Sequence, residues 1–109
     1  MSRVSLDTYY NGFFKVNDEN LPEEFREINR GHVISSEYYD IQFGRNSLIY
    51  RDKIHRLVIP TEHDVAHTLI VYLHYFFEKN KCDIAEKTLQ ERISKTLTFL
   101  SVKYKFEEH

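Results

Sequence analysis

Tryptophan is absent from this chain, and glycine, proline, cysteine and methionine number only three, two, one and one. A single cysteine, Cys82, cannot close an internal disulfide, so the fold must rest on its core and a reducing compartment is expected. Three glycines are too few for a phosphate-cradling loop, and none stands in a GxGxxG or P-loop spacing. The longest apolar run, Leu69 to Phe77, is broken by His74 and is too short to span a bilayer. The opening stretch MSRVSLDTYYNGFF lacks the continuous apolar segment of a signal peptide, so a cytoplasmic protein without a membrane partner is expected. An excess of positive charge is missing too. The net charge is −2, which speaks against nucleic acid as a partner.

What is present is apolar and aromatic. With 41% hydrophobic and 15% aromatic residues over 109 positions, the chain can bury a core and reads as one domain, residues 1–109. Its charge is polarised. Residues 17–40 hold seven acids against Arg26 and Arg30, a balance of −5, which leaves the rest of the chain at +3. Such a field can draw in a cationic partner and speed its encounter.

The pattern predicts an α+β fold, a mainly antiparallel sheet of about five strands with two helices. Asn11-Gly12 between aromatic pairs predicts a tight turn. NLPEEFREINRG predicts a short helix over 22–29: Pro22 suits the first turn, Glu23 and Glu24 oppose the helix dipole, and Gly31 can end it. Phe25 and Ile28 would form its buried side. A β-meander follows. EYYDIQF alternates apolar and polar residues, SLIYR and IHRLVI flank a hairpin at Asp52-Lys53, and Pro60 should close the last strand. Asp83 and Glu86 have capping-box spacing at the start of a helix over 84–99, whose stripe is Ala85, Leu89, Ile93 and Leu97. That helix packs on one face of the sheet, and SVKYKFE is the last strand. Segment 62–78 supports either a strand or a helix.

Chemistry concentrates in TEHDVAHTLIVYLH, where His63, Asp64 and His67 read H-D-x-x-H, one methylene from the H-E-x-x-H zinc signature. On a helix, His63, His67 and His74 would lie within about 40° of one another. Aspartate, however, has less reach than glutamate to a metal-bound water, and TLIVYLHYFF is rich in strand formers. In a strand His74 lies about 20 Å of chain beyond His67. No metal or cofactor is therefore expected, and a metal-dependent hydrolase using His63, Asp64 and His67 is the minor reading. Cys82 beside Lys79 and Lys81 has no histidine near it in sequence. Ser35-Ser36 lacks a nucleophile-elbow context, and Glu23, Glu24 and Glu27 sit on an exposed element unsuited to acid–base tuning. The chain does not read as an enzyme.

SSEYYD, residues 35–40, places two tyrosines between two acids. Tyrosine offers rigid, amphipathic contact area and is enriched at protein interfaces. The ordinary alternative is that Tyr39 packs inward and Tyr38 is a plain surface residue. The candidate partner-binding residues are Glu37, Tyr38, Tyr39 and Asp40, with Glu23, Glu24 and Glu27 as rim charges.

The order SLIYRDKIHRLVIPTE, TLIVYL, LQERISKTLTFLSVKYKFE resembles small immunity proteins of bacterial polymorphic-toxin and contact-dependent growth-inhibition systems. The matching places are Ile59-Pro60-Thr61-Glu62, Val71-Tyr72, Arg92-Ile93 and Phe106-Glu107, so the resemblance spans residues 47–107. HYFFEKN stands where that pattern has a tryptophan. The resemblance implies a cytoplasmic toxin inhibitor that binds a cognate toxin domain, such as a cationic nuclease, and blocks its active site. A small structural or regulatory interaction module, homodimeric through its aromatic strands, is the other reading of the same residues.

Overall fold

The computed structural model describes residues 21–107. Among them are seven strands and two helices: β1 (Phe25–Asn29), β2 (His32–Ser35), β3 (Tyr39–Phe43), β4 (Ser47–Arg51), β5 (Arg56–His63), β6 (Leu69–Val71), α1 (Leu73–Lys79), α2 (Glu86–Phe99) and β7 (Tyr104–Phe106). The strands are ordered as in the chain, β1-β2-β3-β4-β5-β6-β7. Pairing is antiparallel for β1/β2, β2/β3 and β5/β6 and parallel for β6/β7. The expected five-strand sheet is thus corrected to seven strands of mixed direction. The expected turn at Asn11-Gly12 lies outside the described residues.

Two compact units divide the described residues. The first runs to Gly44 and takes in Ile49–Val58; the second holds Arg45–Leu48 and the residues from Ile59 on. β4 and β5 each contribute to both.

In the first unit the expected helix over 22–29 is instead β1, and the cause of the misreading is local. Glu27 pairs with Val33 and Asn29 with His32, so Ile28 is the extra residue of a β-bulge. A bulge lets residues three apart, Phe25 and Ile28, both be half-buried, which imitates helical spacing. An eight-residue helix is marginal by itself, whereas as a strand the segment gains a ladder with the wholly buried β2. The turn that follows needs Gly31, at φ +76°. A Cβ there would stand 3.3 Å from the Phe43 carbonyl oxygen, whose own amide donates to Gly31 O at 2.7 Å. Gly31→Ala is expected to lower stability by about 1–2 kcal/mol through the left-handed backbone alone; thermal unfolding followed by circular dichroism reads it.

Register in β2/β3 sorts the two faces. Val33, Ser35, Tyr39 and Ile41 share one, and His32, Ile34, Asp40 and Gln42 the other. On the first face Tyr39 meets Tyr50 of β4, with ring centroids 5.7 Å apart.

In the second unit β5 does not stop at Pro60 but continues to His63. Pro60 contributes only its carbonyl, which accepts from Tyr72 N at 3.0 Å, so its missing N–H costs no ladder bond at that position. The ambiguous segment 62–78 divides: its β-branched part is the short β6, and the helix of seven residues begins at Leu73. The expected helix over 84–99 is α2, burying Leu89, Ile93, Thr96 and Leu97. It starts later than a capping box on Asp83 requires, because the N-cap is Ala85 with no side-chain cap bond. Its end is a Schellman motif. Val102 N donates to Leu97 O and Ser101 N to Thr98 O, with Ser101 at φ +59° in the place glycine usually takes.

Candidate partner-binding surface

Scarcity of glycine returns here as geometry. The β2–β3 connection is a three-residue hairpin loop, Ser36 to Tyr38, between the paired residues Ser35 and Tyr39. Tyr38 N donates to Ser35 O at 3.1 Å and Glu37 N to Ser35 Oγ at 3.0 Å. Such loops demand a left-handed third residue, usually glycine. Tyr38 occupies that position at φ +66°. A bulky side chain there stores about 1–3 kcal/mol of strain, and strain of this kind clusters at functional sites. The half-buried Tyr38 ring is covered on one side by Lys53, whose Nζ lies 4.9 Å from the centroid.

Lys53 belongs to the β4–β5 turn, which is held by one carboxylate. Asp52 Oδ1 accepts from Ile54 N at 3.0 Å, from His55 N at 2.7 Å and from His55 Nδ1 at 2.9 Å, while Tyr50 OH donates to Oδ2 at 2.7 Å. Burial pushes the Asp52 carboxyl up, but the Tyr50 hydroxyl and the donors of Ile54 and His55 together hold it below the ordinary carboxylate range. The apex of this turn is Ile54, 75% exposed.

Of the residues singled out in the sequence, Glu23, Glu24, Glu37 and Tyr38 gather at this end of the first unit. Ser36 N donates to Glu24 O at 2.8 Å, which places the start of β1 beside the turn, and Glu23, Glu24 and Glu37 are exposed. Glu27 does not join them; its Oε2 accepts from Gly31 N at 2.8 Å at the opposite end of β1. Tyr39 and Asp40 face inward, with 1% and 0% exposure. Sequence reading passed over Lys53 and Ile54. The only signal for them is an isoleucine inside D-K-I-H, where a turn calls for polar residues.

Asp40 anchors the opposite face of the same strand. Arg51 grips it side-on with two nitrogens, Nη2 to Oδ2 at 2.7 Å and Nε to Oδ1 at 3.1 Å, and His32 Nε2 lies 2.5 Å from Oδ2. That last distance requires a proton on Nε2, so the 3.3 Å approach of Arg51 Nη2 to the same nitrogen is between two donors sharing one carboxylate. The network fixes β2, β3 and β4 beneath the turns. It is structural in position, since none of the three side chains reaches the surface.

The histidine motif resolves into a turn. His63 ends β5, and residues 64–68 form a hairpin loop with Asp64 at its first position and His67 left-handed at φ +62°. Asp64 Oδ1 accepts from Thr68 N at 3.0 Å and from Ala66 N at 2.8 Å. The Thr68 amide, and then Ala66 with Lys105 and Lys103, hold its carboxyl below the ordinary range. The i, i+4 ligand face of a zinc helix therefore does not form, and His74 lies in α1 facing Glu78 and Glu86 at 3.6 and 3.5 Å. Among the described residues no three histidine, cysteine or acidic side chains converge as metal ligands. Burial, and then Asp83, push the Cys82 thiol up, away from thiolate reactivity.

Among the described residues no helix is long and apolar enough to cross a membrane. No protein-family model, curated protein or solved structure matches this chain.

Proposed function

We propose that this chain acts by binding, as an immunity protein that neutralises a cognate toxin domain in the cytoplasm of the cell producing it. One observation carries the reading: the Ser36 N to Glu24 O bond brings the start of β1, with exposed Glu23 and Glu24, beside the turn that holds exposed Glu37 and the left-handed Tyr38. Acids on a fixed backbone beside an aromatic side chain complement a cationic cleft, such as one that grips nucleic acid. Charge complementarity brings the partners together and excludes wrong ones. The sequence resemblance over residues 47–107 adds the class of partner. No catalytic step is assigned to the chain itself.

The test is protection in living cells. The C-terminal domain encoded by the gene immediately upstream is expressed under an inducible promoter, with or without this chain. Growth restored only when the chain is present supports the proposal. Growth arrest that the chain leaves unchanged, or a neighbouring gene encoding no toxin, favours the interaction-module reading.

A further inference from the structure

We infer that Ser35 is the positioning residue of the acidic turn: its buried hydroxyl, through the Glu37 amide, holds Glu37 and Tyr38 in the arrangement that a toxin domain meets. The inference rests on the immunity reading and gives a role to a residue outside the acidic patch.

Three observations lead to it. First, every amide of the loop over residues 36–38 has an acceptor. Ser36 N donates to Glu24 O at 2.8 Å, Glu37 N to Ser35 Oγ at 3.0 Å and Tyr38 N to Ser35 O at 3.1 Å. Ser35 takes two of the three, and its hydroxyl is the one side-chain acceptor in the set. A substitution can therefore remove that bond and leave both backbone bonds in place. Second, the hydroxyl stands where packing by itself calls for an apolar side chain. Ser35 is 2% exposed and shares its face of β2/β3 with Val33, Tyr39 and Ile41, all of them buried. A buried polar group is costly unless it is hydrogen-bonded, and the Glu37 amide supplies the bond. Third, the loop is not a relaxed one. Tyr38 is left-handed at φ +66°, where glycine is usual, and such a conformation persists only when its surroundings over-determine it. The two bonds to Ser35 fix the Tyr38 amide and the one before it. A turn set before its partner arrives loses less freedom on docking, so more of the contact energy appears as affinity.

Two measurements on Ser35→Ala test this, one on the free protein and one with a partner. Hydrogen exchange at the Glu37 amide, followed by NMR, is expected to be about three- to tenfold faster, as the loss of one hydrogen bond implies. The Ser36 amide, bonded to Glu24 O, is the internal reference: a weaker fold speeds both amides, whereas a released turn speeds Glu37. Binding to the immobilised C-terminal domain of the upstream gene product is read by surface plasmon resonance, at a temperature where both proteins are folded. It is expected to weaken about three- to tenfold. Ser35→Thr keeps the hydroxyl and is expected to bring both readings back to within about twofold of wild type. The Ala variant carries the test by itself if the extra methyl group of threonine does not fit the buried site. Glu37 exchange that is unchanged, or faster only in step with Ser36, overturns the positioning role. So does wild-type affinity despite faster exchange; each of these leaves the immunity reading standing. A wild type that binds no toxin domain overturns the immunity reading, and this role with it.

Discussion

Replacing Asp40 by alanine is expected to cost about 3–5 kcal/mol of folding stability, the largest effect of any single substitution considered. Asp40 and Arg51 are both fully buried, and the Asp40 carboxylate accepts from Arg51 Nε and Nη2 and from His32. Removing it leaves a guanidinium in the interior facing an imidazole N–H, two donors without their common acceptor. Breaking a buried ion pair by removing one partner is costly, whereas an apolar pair of similar volume is often tolerated. The double variant Asp40→Leu with Arg51→Met is therefore expected to recover most of what the single variant loses. Urea unfolding reads both, with the midpoint moving at unchanged slope. A single variant within about 1 kcal/mol of wild type would show that the network contributes little to stability.

Reversing Glu23, Glu24 and Glu37 to lysine is expected to slow association with the toxin domain about 10- to 1,000-fold at low salt, with stability nearly unchanged. All three residues are exposed, and the bonds that hold this turn, Ser36 N to Glu24 O and Glu37 N to Ser35 Oγ, do not use their carboxylates. The effect must shrink at high salt, because exposed charges are screened beyond about 10 Å at 0.1 M. Glu24→Lys and Glu27→Lys taken singly form the matched comparison: each changes the charge by the same amount, but the Glu27 carboxylate is bound to Gly31 N, away from the Ser36 to Tyr38 turn. A loss of binding equal for the two would mean that net charge acts, without a localised site. Stopped-flow association at two salt concentrations distinguishes them.

The elements that sequence reading found are those whose signal is long or repeated. α2 has four turns of apolar spacing, β3 alternates apolar and polar residues, β4 is a short apolar run before a turn, and each stands near where the pattern put it. β1 was missed because a bulge restores a spacing of three, and because proline, acids and glycine in helix-like order describe the ends of a strand as well. The turns at 44–46 and at Asp52-Lys53 were legible, and the left-handed ones were not, for a physical reason. Among the described residues the left-handed positions fall on Tyr38, His67 and Ser101, with glycine only at Gly31, so the usual marker of a turn is absent at three of the four. That is also why H-D-x-x-H read as a metal motif: its aspartate begins a hairpin loop and its second histidine fills the glycine position.

The candidate surface was half legible. Composition and charge pointed to Glu23, Glu24, Glu37 and Tyr38, which the fold brings to one end of the first unit. Tyr39 and Asp40 follow Tyr38 directly, and strand alternation cannot say which neighbour turns inward when both faces of the strand are covered. Lys53 joins the site by reaching the Tyr38 ring from the β4–β5 turn, a long-range consequence that no local pattern records.

The most direct test of the central claim is calorimetric titration of this chain into the purified C-terminal domain encoded by the upstream gene, at low and at high salt. The account predicts a one-to-one complex of nanomolar affinity that weakens as salt rises. No heat of binding at either salt, with both proteins folded, would contradict it.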